Sequence, residues 1–158
     1  MADAMDLRTA KETFDTLCEM LDEKELRYEK DDENLAVNLT MHGDDLPVAM
    51  HFVVDTERNF VITISPLPFK VKEDKMLDMA IAVSALNYRM VNGSFDYDLA
   101  KGNLTFRMTT SYRESRLGKE ALFYMLACTV TTVDEYNDKL MMLAKGMISL
   151  EKFMESIG

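Results

Sequence analysis

The chain is short of the residues that perform chemistry. Its two cysteines, Cys18 and Cys128, lie far apart in apolar helical patterns, whereas a metal or redox motif needs close spacing such as C-x-x-C. Both are expected to be buried and reduced, because an unpaired cysteine packs as a small hydrophobe. That expectation points to the cytoplasm. The six glycines are scattered and build no phosphate-cradling loop. No G-x-S-x-G elbow occurs, and Asn92-Gly93-Ser94 places its serine after a helix stop. No apolar run approaches the roughly 20 residues of a membrane span. The start, Met1-Ala2-Asp3-Ala4-Met5-Asp6, is acidic, unlike the basic start of a secretory signal.

Basic residues are scarce as well. Eighteen Lys and Arg face 28 Asp and Glu, for a net charge of −10. Nucleic-acid binding relies on basic groups that displace counterions, so this chain repels phosphate. Anionic membrane surfaces are disfavoured for the same reason. Acidity keeps a small protein soluble, and it also complements a basic partner; charge alone leaves both readings open. The 158 residues fit one domain over residues 1–158, large enough to bury about 70% of its unfolded surface without a staple. The 14 methionines fit either core gap-filling or an adaptable binding surface.

The periodicity alternates between helix and strand. Leu7, Ala10, Phe14, Leu17, Cys18 and Leu21 follow a 3, 4, 7 spacing, which predicts a helix over about 6–24 with Asp6 as N-cap. Leu26 and Tyr28 begin a short strand closed by the turn Asp31-Asp32-Glu33-Asn34. Leu35 to Met41, Val48 to Val54 and Phe60 to Ile64 alternate with period two and predict three more strands. Their short connections require an antiparallel meander. Ser65-Pro66-Leu67-Pro68 is expected to end it, because proline cannot donate to a ladder. A second helix is predicted over about 73–90, with Gly93 as stop signal. Phe95 and Tyr97, then Leu104, Phe106 and Met108, mark two further strands around the turn Lys101-Gly102-Asn103.

A long third helix is predicted over about 119–145, on the stripe Leu122, Leu126, Thr129, Val133, Tyr136, Leu140 and Leu143. Its weakest part is the β-branched run 129–133. Gly146 breaks it, and Ser149 caps a last short helix carrying Leu150, Phe153, Met154 and Ile157. The fold class is therefore α+β, a mostly antiparallel sheet packed by helices in the order α-β-β-β-β-α-β-β-α.

None of the candidate chemistry assembles into a site. His42 and His51 lie on the outward side of adjacent strands, and hairpin pairing brings His51 nearer Asn38 than His42. No cysteine or carboxylate joins them at zinc-ligand spacing. Asp31-Asp32-Glu33 lacks the glycine and distal bidentate Glu of a calcium loop. No catalytic residue, metal ligand or cofactor is expected. The informative feature is the absence of charge over residues 79–88 and 121–133. A helix apolar all round must be covered all round, and one sheet covers one face of each. Either these helices pack on each other, or the surplus faces a second subunit or a bound segment. Met79, Val83, Leu86, Phe123, Met125 and Val130 are the residues expected on that surface.

Residues 65–158 carry a family resemblance. Val71-Lys72-Glu73, Leu86-Asn87, Gly93-Ser94-Phe95-Asp96, Gly102-Asn103-Leu104-Thr105-Phe106 and Asp134-x-Tyr136, with Leu140, Gly146 and Ser149-Leu150-Glu151, resemble the YbjN-like family of bacterial sensory transduction regulators. That family often has proline where Lys72 stands. Its fold is similar to that of type III secretion chaperones, small acidic proteins that are usually homodimers and bind extended segments without ATP. The resemblance implies a non-enzymatic, chaperone-like or regulatory adaptor that recognises a peptide segment or protein partner. It transfers no functional residue. A small-molecule sensor with a pocket between sheet and helices is the alternative.

Overall fold

A computed structural model describes residues 4–158; the acidic start Met1-Ala2-Asp3 lies outside them. Helix α1 is Ala4–Glu23. Strands β1 (Glu29–Asp31), β2 (Ala36–His42), β3 (Pro47–Asp55) and β4 (Phe60–Lys70) follow. A single 3-10 turn, Glu73–Lys75, leads into α2 (Met76–Arg89). Then come β5 (Ser94–Asp98), β6 (Asn103–Ser111), α3 (Lys119–Ala144) and α4 (Leu150–Ser156). The six strands form one sheet in the order β1-β2-β3-β4-β6-β5, every neighbour antiparallel. The α+β class and the order of elements are as the periodicity implies.

Alternation decides which face of the sheet is buried. Val37 and Leu39 of β2, Val48 to Val54 at every second position of β3, Val61 and Leu67 of β4, and Leu104, Phe106 and Met108 of β6 all point to one side. There they meet Phe14, Leu17 and Leu21 of α1 and Leu122, Leu126 and Val133 of α3 in one hydrophobic cluster. Each fully buried side chain of this size stabilises by roughly 1.5–3 kcal/mol. The opposite side of the sheet presents Asn38, Thr40, His51, Arg107 and Thr109, all exposed. Five methionines, at 20, 50, 79, 108 and 125, are core residues, and Met147 is exposed.

Four local expectations change. Asp6 is not the N-cap: α1 already runs from Ala4, so Asp6 lies in its first turn, where its charge complements the positive helix end. Leu7 is exposed, one turn before the helix reaches the core. The strand that begins at Leu26 in the period-two reading begins at Glu29. Tyr28 instead packs beside α1, donating to Asp22 Oδ1 at 2.9 Å. Ser65-Pro66-Leu67-Pro68 does not end β4, which continues to Lys70 through a register shift between Pro66 and Lys70. Pairing with β3 stops at Ile64, so beyond it only β6 is a partner and proline removes no ladder bond on the open side. The β-branched run 129–133 stays helical. Its seat supplies the reason: Thr129 is buried with its hydroxyl 3.1 Å from that of Thr63 on β4.

Candidate functional site

Helix α2 packs over the β5 edge of the sheet. Its neighbours among the described residues are the edge strand β5, α4 and α3, and its outer side carries exposed apolar residues. Met79, Ala82, Val83 and Leu86 form its buried stripe. The opposite stripe, stepping 4, 3, 4 along the helix, is Leu77, Ile81, Ser84 and Tyr88. Leu77 is 73% exposed, Ile81 44% and Tyr88 93%, and Val91 just beyond the helix is 96% exposed. Ala80, Ile81, Ala85, Tyr88 and Met154 line a groove of about 650 Å³ between α2 and α4. Charge sits only at the ends of the helix. Asp78 is in the first turn, 3.8 Å from Lys75, and Arg89 is in the last, each complementing the helix dipole.

The anchor of α2 is a two-way hydrogen bond. Asn87 Nδ2 donates to Phe95 O at 2.9 Å, and the Phe95 N–H donates to Asn87 Oδ1 at 2.8 Å. One amide therefore satisfies both backbone groups of an edge-strand residue. Gly93, at φ +78°, makes the link from α2 to β5, and a Cβ there would lie 2.4 Å from the Phe106 ring. At the other end of the sheet, Asp134 of α3 accepts the Asp44 N–H at 2.9 Å and pins the β2–β3 turn. Gly43 lies so close to that carboxylate that a Cβ would overlap it.

Of the six residues expected on a partner-facing surface, Met79, Val83, Leu86 and Met125 are buried in the core of the chain itself. Phe123 is half-buried beneath the Lys24 ammonium, 4.3 Å from its ring centroid, and Val130 is half-buried against the core. The physical reason is that helical apolar periodicity marks the inward stripe of a helix first. The exposed residues of the same uncharged stretch, Ile81 and Tyr88, were within reach of the sequence. Leu77 lay outside it because Asp78 interrupts the run.

Several titratable side chains hold local structure. His51 pairs with Asn38 across the β2–β3 ladder and hydrogen-bonds to it, while His42 stands opposite Pro47. Asp31 accepts from the Asn34 N–H at 3.0 Å and from Asn34 Nδ2 at 2.8 Å, closing its own turn. Cys18 is buried and Cys128 half-buried, both unpaired, and burial pushes the Cys18 thiol up. Burial, with help from the Asp55 and Asp6 charges, pushes the Tyr112 phenol up to about 12; its hydroxyl donates to Asp55 O at 2.9 Å. Among the described residues no three His, Cys, Asp or Glu side chains come together as metal ligands. Among the described residues no helix is long and apolar enough to cross a membrane.

The six-stranded antiparallel sheet packed on one side by helices is a type III secretion chaperone-like fold. The chain matches SchA or its partner in the solved HopA1-SchA chaperone-effector complex at 18% identity and a TM-score of 0.55, covering 87% of this chain and 99% of that one. A chain of the ExsC-ExsE complex matches at 16% identity and a TM-score of 0.58, covering 82% and 93%. YbjN from E. coli matches at 16% identity and a TM-score of 0.56, covering 76% and 84%. At these identities the likeness is one of fold. The sequence itself matches the YbjN family, described as "Putative bacterial sensory transduction regulator", over residues 13–141. The chain belongs to that family. No curated protein matches it. Of the residues that carry the resemblance, Asn87, Gly93 and Phe95 join α2 to β5, and Asp134 holds the β2–β3 turn.

Proposed function

We propose that this protein is a non-enzymatic, chaperone-like binding protein of the cytoplasm that recognises a peptide segment or protein partner and works as a homodimer. The observation that carries the reading is the exposed apolar stripe of α2 in a chain that is otherwise strongly acidic. Contiguous exposed apolar surface is uncommon on monomers and marks interaction sites. The similar folds solved in chaperone-effector complexes support a protein as the partner, and two unpaired thiols fit a reducing compartment.

The α2 stripe suits a second copy of the same helix. In an antiparallel two-fold contact Leu77 meets Tyr88 of the second copy, and Ile81 meets Ser84. The small Ala80, Ser84 and Ala85 at the centre allow close approach. An isologous contact of this kind closes on itself. Burial contributes roughly 25 cal/mol per Å² of apolar area before association costs. A charge of −10 per copy opposes association, so moderate salt strengthens the dimer. The half-buried Phe123 and Val130 of α3 are assigned to the contact with the bound segment.

Light scattering on the purified protein at low and moderate salt tests the dimer, with Ile81→Asp and Tyr88→Asp expected to be folded monomers. A pull-down from the native host is expected to return one protein in stoichiometric amount. A wild-type monomer at both salts and high micromolar concentration, with no such protein, overturns the reading.

A further inference from the structure

Among the described residues four buried side-chain polar atoms have no hydrogen-bond partner: Asn59 Oδ1, the Tyr97 hydroxyl, and both Oδ1 and Nδ2 of Asn137. Asn137 stands apart because both ends of one amide are orphaned in a side chain only 1% exposed. An amide offers two donors and an acceptor with two lone pairs. Burying it dry costs a few kcal/mol relative to water. Asparagine is also a weak helix former, so it gains nothing locally in the middle of α3. Interiors satisfy such groups with protein partners or with ordered water.

The surroundings narrow the choice. Asn137 lies about two turns along α3 from Thr129, whose hydroxyl meets Thr63 Oγ1 at 3.1 Å and donates to Met108 Sδ at 3.7 Å. That stripe is the one α3 lays on β4 and β6. The adjacent Tyr136 packs edge-on to Phe95, with ring centroids 6.3 Å apart, which brings the same turn of α3 to β5. Tyr97, two residues beyond Phe95 and on the same face of β5, carries another of the orphaned atoms. No Asp, Glu, Lys, Arg or His is buried among the described residues, so an ion held here would have no counter-charge. A ligand sealed at this position must be small, neutral and able both to donate and to accept.

We infer that Asn137 anchors an internal hydration site between α3 and the β5–β6 end of the sheet, where ordered water accepts from Nδ2, donates to Oδ1 and reaches the Tyr97 hydroxyl. The site is independent of the α2 surface, and it stands whether or not the protein binds a partner.

A crystal structure of the full chain at a resolution that shows ordered solvent tests it, together with water-to-protein nuclear Overhauser measurements in solution. Ordered density is expected within hydrogen-bond distance of both Asn137 amide atoms, with cross-peaks from water to the Asn137 side-chain protons. Tyr97→Phe is expected to keep the water on Asn137. Asn137→Leu, if it folds, is expected to lose the density. Protein groups bonded to both amide atoms overturn the inference. So does an amide with neither density nor cross-peaks, and an Asn137→Leu variant melting several degrees higher would then identify it as dry. The wild-type measurement decides even if no variant folds.

Discussion

Residues 79–88 of α2 and 121–133 of α3 are equally free of charge, yet the two helices are covered differently. Helix α3 crosses the sheet over β4, β6 and β3 and is flanked by α1 and α2. Leu122, Met125, Leu126, Thr129 and Val133 are all buried, and Tyr124 is the large exposed side chain of that stretch. Helix α2 lies over the edge strand β5, and its outer stripe keeps Leu77, Ile81 and Tyr88 exposed. An uncharged run therefore reports that a helix needs cover, and position in the layer decides whether the chain itself provides it.

The contrast can be broken most strongly from the α3 side. Leu122→Ala removes a fully buried side chain in the first turn of α3 and is expected to cost about 2–5 kcal/mol, read from urea unfolding. The same truncation on the other helix, Leu77→Ala, is expected to stay within about 0.5 kcal/mol. A large loss at Leu77 in dilute monomer would contradict the exposed position of that stripe.

The attachment of α2 to the sheet comes next in size. Asn87→Ala strands the N–H and C=O of Phe95 and is expected to cost about 2 kcal/mol. Hydrogen exchange should then rise in α2 and β5 before α3, because the lesion is at the edge of the sheet.

A smaller effect appears at alkaline pH. The raised phenol of Tyr112 favours the neutral form in the folded state. Its contribution is full below the ordinary tyrosine value of 10.0 and is lost as pH rises through about 12. The part of the urea midpoint that Tyr112 controls should be flat up to pH 10.0 and fall beyond it. Tyr112→Phe should flatten part of that fall while costing about 1 kcal/mol at neutral pH through its lost bond to Asp55 O.

The smallest effect is expected at the histidines. His42 and His51 are exposed on the open side of the sheet, so changing both to Ala should leave the melting temperature and any partner binding unchanged. A chelator-dependent melting temperature would contradict this.

Most of the fold was legible because its signals are local. The switch of period from 3.6 to 2 and back, Ser149 capping α4 by accepting the Lys152 N–H, and positive φ at Gly93, Gly102 and Gly146 all follow from neighbouring residues. The hairpin arithmetic that set His51 beside Asn38 holds for the same reason. Errors arose where distant segments intervene. Pro66 and Pro68 read as a strand end, but β6 on one side and an absent β3 on the other let β4 continue. Met79, Val83, Leu86 and Met125 read as surplus because one sheet was counted as their only cover, while packing among the helices α1, α2, α3 and α4 supplies the rest.

The sequence by itself determined the type and order of the elements and the inward stripe of each, because backbone preference and apolar spacing act over a few residues. The tertiary structure alone decided that α2 sits at the edge and keeps Leu77, Ile81 and Tyr88 outside. It also decided that Asn137 is enclosed. Burial is set by what packs above a residue, and that depends on strand order across the whole chain rather than on the residue's own neighbours.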